Sequence, residues 1–342
     1  MKPGYPLART LLGSKYHHFA ELPYNLNWMI RLRRDEQAFL KTHPIVVTDV
    51  GCRGEAPKEL LTLFPYMDYH AFDADAAECA RLNGTPHPYA NRRLFPLFIG
   101  DGPGEVTFNL FHNPGESSSF DPGHRFQELY AGEGFGISRQ VRLETTNLDD
   151  HYQGGKHPTP DLIKLDTQGS ELGILQGAGS LLQSVSMVEV EVEFVEMYAG
   201  QARFDKIFTY LVDQGFELLY LNRCFGQKEQ VYRGPSRGQL LFGDALFGRR
   251  EDRLQGLSPE QICKYALLLI NYGHMDLAFD LIQRNPFIAG QMPGIVDRFK
   301  GGRAPRLLRQ LSNRLDQILV YLLHLRTFNH LTWDSDRSWP VR

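Results

Sequence analysis

Between residues 45 and 221, six short apolar runs recur, with helical patterns between several of them. This alternation constrains the fold more than any other feature of the chain. The runs lie at 45–50, 69–72, 94–99, 162–165, 188–194 and 216–221. Strands separated by helices pair in parallel, because the chain crosses back over the sheet between them. Three intervening stretches read as helices: 57–63, with proline near its first turn; 76–82, rich in alanine; and 171–182, where Leu172, Leu175, Leu181 and Leu182 share a face. The expected fold is α/β: a doubly wound, mostly parallel sheet covered by helices.

Two segments break the alternation. In 104–111, Val106, Phe108 and Leu110 alternate with polar residues, which predicts a half-exposed antiparallel strand or hairpin arm. Residues 112–136 are rich in Gly, Pro and Ser and too long for a simple connection, so they are expected to form a lid. At 342 residues the chain divides on sequence grounds into three parts. These are a helical N-terminal extension (1–44), a ligand-binding domain (45–250) and a helical C-terminal appendage (251–342). Within the appendage, Ser258-Pro259-Glu260-Gln261 has the form of a helix start, and further helices are expected at 275–283 and 305–325.

The first run ends in Asp49-Val50-Gly51-Cys52-Arg53-Gly54, and Phe72-Asp73 closes the second. Glycines after a strand let the backbone turn sharply and approach a ligand, and an acid about 20 residues later can bind a ribose. The step from Gly51 to Asp73 is 22. Asp49 stands where a dinucleotide fingerprint has its first glycine. A carboxylate there repels pyrophosphate and suits a ligand carrying an ammonium and a sulfonium, such as S-adenosyl-L-methionine. Ligands of doubly wound sheets sit at the carboxyl ends of the strands. Asp49 lies at the end of the first run, and Asp73, Asp101 and Asp166 follow the next three, so each of those ends carries an acid. Asp101 is a candidate contact for the adenine amino group, with a turn-holding role as its plain alternative. Asp75 reads as a helix cap.

The near-balance of 37 basic and 40 acidic side chains gives no broad positive field, which argues against a nucleic-acid partner. Cys52, Cys79, Cys224 and Cys263 are widely spaced, so neither structural zinc nor a disulfide framework is expected. No run approaches the roughly 18 apolar residues of a membrane span, and the first residues lack the apolar core of a signal peptide. A cytoplasmic location is the expectation.

A second signature, Leu162-Ile163-Lys164-Leu165-Asp166-Thr167-Gln168-Gly169-Ser170-Glu171, carries a strand into a helix. Lys164 and Asp166 share one strand face. Together with the D-x-G-x-x-G turn and Phe72-Asp73, this stretch resembles the FkbM-type S-adenosylmethionine-dependent methyltransferases. Their I-K-x-D-x-x-G-x-E-x-x-x-L-x-G-A pattern is matched by Ile163, Lys164, Asp166, Gly169, Glu171, Leu175, Gly177 and Ala178. Thr146-Asn147-Leu148-Asp149-Asp150, Glu191-Val192-Glu193-Phe194, Tyr198 and Gly215-Phe216 extend the similarity over about residues 45–248. The chain departs from the family in having Asp73-Ala74 where F-E-P is usual, and in Asn147 between threonine and leucine.

The resemblance implies a class I (Rossmann-like) methyltransferase that binds S-adenosyl-L-methionine and methylates a hydroxyl of a sugar, lipid or other small metabolite. Cofactor contacts are expected from Asp49, Gly51, Gly54, Asp73 and Asp101. Asp166 is the first candidate for orienting the acceptor, and His112 and His124 in the expected lid are candidate bases. Glu189, Glu191 and Glu193 alternate with valines, giving one acidic strand face; Glu191 with Asp166 is a pairing that could hold a divalent cation, without any metal-binding spacing behind it. The competing reading is a catalytically inactive binding or scaffold protein acting through its helical C-terminal region. The apolar series from Leu307 to Leu323 could pack on the domain or on a second copy as a homo-oligomer.

Overall fold

The computed structural model describes residues 31–52, 56–228, 231, 238–300 and 333–335. Its centre is a sheet of eight strands. β1 (Ile45–Val50), β2 (Met67–Phe72), β3 (Asn91–Phe95), β7 (Leu162–Leu165) and β8 (Met187–Glu193) run parallel in the spatial order β3-β2-β1-β7-β8. β10 (Gln239–Arg249) then adds antiparallel to β8, followed by β9 (Phe216–Gly226) and the short edge strand β11 (Trp333–Ser335). Strand order reverses between β1 and β7, and the crevice at that switch is where a doubly wound sheet takes its ligand. The topology is that of a class I, Rossmann-like methyltransferase, a mostly parallel sheet closed by one antiparallel hairpin.

The third apolar run divides instead of forming one strand. Pro96 has no N–H to give to a ladder, so pairing stops at Phe95. The chain resumes as β4 (Phe98–Ile99) in a second sheet of three strands, order β4-β6-β5. There β5 (Gly104–Phe111) pairs antiparallel with β6 (Ile137–Thr146), which is the hairpin that the alternating 104–111 pattern implied.

Helices cover both faces of the large sheet. α1 (Arg34–Thr42) and α2 (Ala76–Asn83) come first; Asp75 caps α2 by accepting from the N–H groups of Ala77 and Glu78, both at 3.0 Å. α3 (Leu148–Tyr152), α4 (Glu171–Gln176) and α5 (Phe204–Asp213) pack on Ile163, Leu165, Val188, Val190 and Val192. The helical pattern over 171–182 is interrupted after Gln176, and a single 3-10 turn follows at Leu181–Ser184. A side chain at Gly177 would meet the carbonyl oxygen of Gly100 at 2.6 Å, so only glycine allows α4 to sit this close to the end of β4.

α6 (Pro259–Tyr272) covers the opposite face. Ser258 and Gln261 form its capping box, and Gly273 ends it in the left-handed region at φ 91°. Every residue from Ile262 to Tyr272 is buried, and α6 shares a core with Leu40, Val47, Tyr69 and Leu162. An ion pair of 2.6 Å between Lys264 and Asp161 ties it to the entry of β7. α7 (Met275–Arg284) and α8 (Pro286–Gln291) follow. The helix expected at 305–325 lies outside the described residues, as does most of the N-terminal extension. Among the described residues no helix is long and apolar enough to cross a membrane.

Candidate active site

The carboxyl ends of β1, β2 and β7 open into a cleft of about 1640 Å³. Gly51, Asp73 and Asp166 line its floor; Leu97, Phe98 and Ile99 line one side, and Phe108, Leu110, Val141 and Leu143 of the β5–β6 hairpin another. Single small-molecule pockets run to roughly 300–1,000 Å³, so this space suits two ligands side by side.

The floor is set by close approach of two strand ends. Gly51 has φ 80°, a conformation that favours glycine, and its N–H donates to the carbonyl of Phe72 at 3.1 Å. The N–H of Asp166 donates to Val50 O at 3.1 Å, extending the β1–β7 ladder by one residue. Asp166 therefore emerges beside Gly51, its side chain 39% exposed to the cleft. At the end of β2, Asp73 lines the cleft and its Oδ1 accepts from Asp75 N at 2.8 Å, which fixes the carboxylate.

Asp49 does not line the cleft. Strand alternation turns it with Lys164 toward the face covered by α6, where it is 1% exposed. Tyr69 OH donates to its Oδ2 at 2.6 Å, and Lys164 Nζ lies 3.6 Å from Oδ1. Burial raises the Asp49 carboxyl above its ordinary value, against the opposing pull of Lys164. For Lys164, burial works against the charge, but Asp49 and Asp166 outweigh it and hold the ammonium above its usual range. The expected cationic-ligand contact is thus filled internally: Asp49 anchors Lys164, and Lys164 reaches Asp166 at 3.5 Å.

Three further expected residues lie off the cleft lining. Asp101 is exposed and packs beside Gly173 of α4, because the Gly100–Gly104 turn leads away into β5. His112 is exposed at the end of β5, with its Nδ1 2.8 Å from Gly136 O. His124 opens a helical turn whose Phe126 points inward, which leaves the histidine outside. Gly54 lies outside the described residues.

The expected lid is a packed wall. Phe126 and Phe135 are almost fully buried with Phe111, Met197, Tyr198 and Leu241. Main-chain bonds from Gly123 N to Met197 O and from Ala199 N to Asp121 O, both 2.8 Å, clamp the segment to the loop after β8. Ser118, buried, donates through Oγ to the carbonyl of Gln168 at 2.6 Å, a structural role for the serine-rich stretch.

Gln168 organises the acids. It has φ 59°, the one non-glycine in the left-handed region among the described residues. Its Nε2 donates to Asp166 Oδ1 at 3.0 Å and to Glu191 Oε2 at 2.8 Å, while its Oε1 accepts from Tyr198 OH at 2.7 Å. Strain of this kind persists where the surroundings over-determine the backbone, and here four bonded groups do so. Glu191 lines the cleft at 9% exposure. Burial, then the charges of Asp166 and Glu193, raise its carboxyl well above the usual carboxylate range.

Sequence reasoning named Glu191 as a residue that could reach the site and could hold a cation with Asp166, and it missed the part of Gln168. The signal available was Gln168 itself: a non-glycine directly before Gly169 in a strand-to-helix turn. A histidine cluster behind the cleft was also missed. His151 and His157 stack with ring centroids 4.5 Å apart, His70 lies 5.6 Å from His157, and His151 meets the cleft residue Phe72 at 4.8 Å. Burial, then the neighbouring His157 and His70, push His151 down to about 4.

Comparison with known proteins agrees with this arrangement. Residues 64–218 match the model of the methyltransferase FkbM domain. The chain is 25% identical over 213 residues to the 2-O-methyltransferase NoeI of Sinorhizobium fredii, covering 61% of this chain and 87% of that one. A shorter match, 36% identical over 52 residues, is to the hexuronic acid methyltransferase AglP of Haloferax volcanii, covering 15% of this chain and 22% of that one. Among solved structures, the methyltransferase FkbM of Methylobacillus flagellatus aligns over 59% of this chain and 43% of its own, at 12% identity and a TM-score of 0.33. At that score the likeness is weak; the strand order of the chain itself defines the fold.

Proposed function

Since the chain belongs to the FkbM-type S-adenosylmethionine-dependent methyltransferases, we propose that it transfers the methyl group to a hydroxyl of a sugar. The observation that carries this reading is the meeting of Asp166 and Glu191, held by one amide, in a cleft with room for a second ligand beside the cofactor. Among its relatives, the hexuronic acid methyltransferase AglP favours a saccharide acceptor and the 2-O-methyltransferase NoeI favours transfer to oxygen.

The residues fit the cofactor. Gly51 has no side chain to obstruct the floor, Asp73 offers a fixed carboxylate for a ribose hydroxyl, and Leu97, Phe98 and Ile99 offer an apolar wall for adenine. Bound there, S-adenosyl-L-methionine supplies a methyl group on a positively charged sulfur. Asp166 accepts a hydrogen bond from the acceptor and sets its orientation. Glu191, which faces the cleft and whose carboxyl burial and the neighbouring acids hold above the usual carboxylate range, accepts the hydroxyl proton as the oxygen attacks. Gln168 keeps both carboxylates aimed at the same point. The aromatic side of the cleft, with Phe108 and Phe126, suits the apolar faces of sugar rings.

The test is to incubate the purified full chain with S-adenosyl-L-methionine carrying an isotope-labelled methyl group and a panel of free, nucleotide-linked and lipid-linked sugars. The expected product is a methyl ether on a sugar hydroxyl, located by mass spectrometry after hydrolysis. Binding of S-adenosylhomocysteine with no label reaching any sugar would reject the saccharide acceptor.

A further inference from the structure

Beside the cleft, three buried glutamates share one site without a counter-charge. Glu171 comes from the first turn of α4, and Glu191 and Glu193 come from one face of β8. One carboxylate oxygen from each lies within 4.8 Å of the other two. Glu171 is locked in place: its Oε1 accepts from Thr167 N at 2.7 Å and Thr167 Oγ1 at 2.9 Å, and its Oε2 from Gly169 N at 3.0 Å. Glu191 is held by Gln168.

Glu193 is the independent sign of a missing ligand. Its side chain is 0% exposed, it points into this cluster, and neither of its carboxylate oxygens completes a hydrogen bond, although the side-chain amide of Gln201 stands beside it. Unpaired buried polar groups are rare because each forfeits its hydration without replacement. Among the described residues, no Lys, Arg or His lies within ion-pair distance of any of the three; Lys164, the nearby cation on the same face, reaches Asp49 and Asp166. Carboxylates that share a site in this way must take up protons or bind a cation.

We propose that Glu171, Glu191 and Glu193 form a binding site for one hard divalent cation of the Mg²⁺, Mn²⁺ or Ca²⁺ type, opening into the cleft through Glu191. Oxygen-only donors select such ions over zinc or copper. Three carboxylates leave further coordination positions for water or for acceptor hydroxyls, since these ions take about six to eight oxygens. The cation satisfies Glu193 and, from the cleft side, gives vicinal hydroxyls of a sugar a second point of attachment. That last role rests on the saccharide reading; the site itself does not.

The test uses the full chain, stripped with chelator and freed of it, titrated with Mn²⁺ and followed by electron paramagnetic resonance. Thermal unfolding checks that each variant is folded. One Mn²⁺ per chain is expected, displaced by Mg²⁺ or Ca²⁺. Glu193→Gln and Glu191→Gln should each weaken it by at least the roughly 10- to 100-fold that loss of an outer partner alone costs. Absence of Mn²⁺ binding at millimolar concentration, or binding that survives both substitutions, overturns the site. Because neither methyl donor nor acceptor is present, a chain that binds Mn²⁺ through these residues yet methylates no sugar would support the site and reject only the acceptor assignment.

Discussion

A side chain on Gly51 would place its Cβ 2.0 Å from the carbonyl oxygen of Asp166. The turn that ends β1 and the residue that leads out of β7 are thus in backbone contact, and the two sequence signatures, more than a hundred positions apart, are one structural unit. The contact fixes where the Asp166 carboxylate enters the cleft.

Gly51→Ala forces either the turn or Asp166 to move, and the left-handed φ adds strain of about 1–3 kcal/mol. Thermal unfolding should show a loss of that order, and calorimetric titration should show weaker S-adenosylhomocysteine binding. An alanine variant with unchanged affinity would mean that the floor tolerates displacement.

Glu191→Gln removes the proposed base while keeping a side chain of the same shape that can still bond to Gln168. Methyl transfer should fall by ~10²–10⁴-fold in kcat, with S-adenosylhomocysteine affinity little changed. In chelator, where no cation holds Glu191, activity of the unsubstituted protein should climb with pH across the raised Glu191 titration, and that climb should disappear in the variant. A variant that retains the wild-type pH profile would assign the base elsewhere.

Gln168→Gly relieves a left-handed residue, worth roughly 1–2 kcal/mol, but deletes the amide that links Asp166, Glu191 and Tyr198. Relief and lost bonds offset each other in stability, whereas misaligned acids cost activity on the order of 10²-fold. Parallel measurement of melting temperature and kcat separates the two. A proportional fall in both would reduce Gln168 to a packing residue.

Glu193 is held well above the ordinary carboxylate range by burial and by Glu171. Its folded-state pKa exceeds its unfolded one, so its stability contribution is fully present below the unfolded value and is lost as pH rises through the folded value. In chelator, the protein should therefore melt at lower temperature as pH climbs above the usual glutamate range, and Glu193→Gln should flatten that decline. Parallel melting curves for the two proteins would contradict it.

His151 behaves in the opposite sense. Its pKa is depressed from 6.5 to about 4, so its contribution is present above the unfolded value and is lost as pH falls through that window. His151→Phe, which keeps the edge-to-face contacts with Phe72 and Phe95, should make the melting temperature less sensitive to acid between those limits. An unchanged acid limb would place the sensitivity on other groups.

Much of this protein was readable from local pattern. The apolar run at 45–50 became β1 residue for residue, and 162–165 became β7, because a central strand buried on both faces leaves an unbroken signature. The Ser258 cap and the Asp75 cap were legible because each is a bond between groups a few residues apart. The family resemblance also rested on short spacings, those of the turn at Gly51 and the stretch from Ile163 to Ala178.

What the tertiary structure alone decided was direction and company. Asp49 and Asp166 both stand at the ends of strand-like runs, yet one is sealed under the floor with Tyr69 and Lys164, and the other opens into the cleft. Pro96 sends β4 to a second sheet, and the packing of Phe126 and Phe135 turns the expected lid histidines away from the acceptor side. The meeting of Glu171 with Glu191 and Glu193 depends on how α4 docks against β8. The physical reason is range. Strand periodicity, turns and caps are settled within a few residues of chain, whereas pKa, burial and counter-charge depend on groups that only folding brings together. The sequence by itself therefore determined the central parallel strands and the family resemblance, and the fold determined which acids face the chemistry.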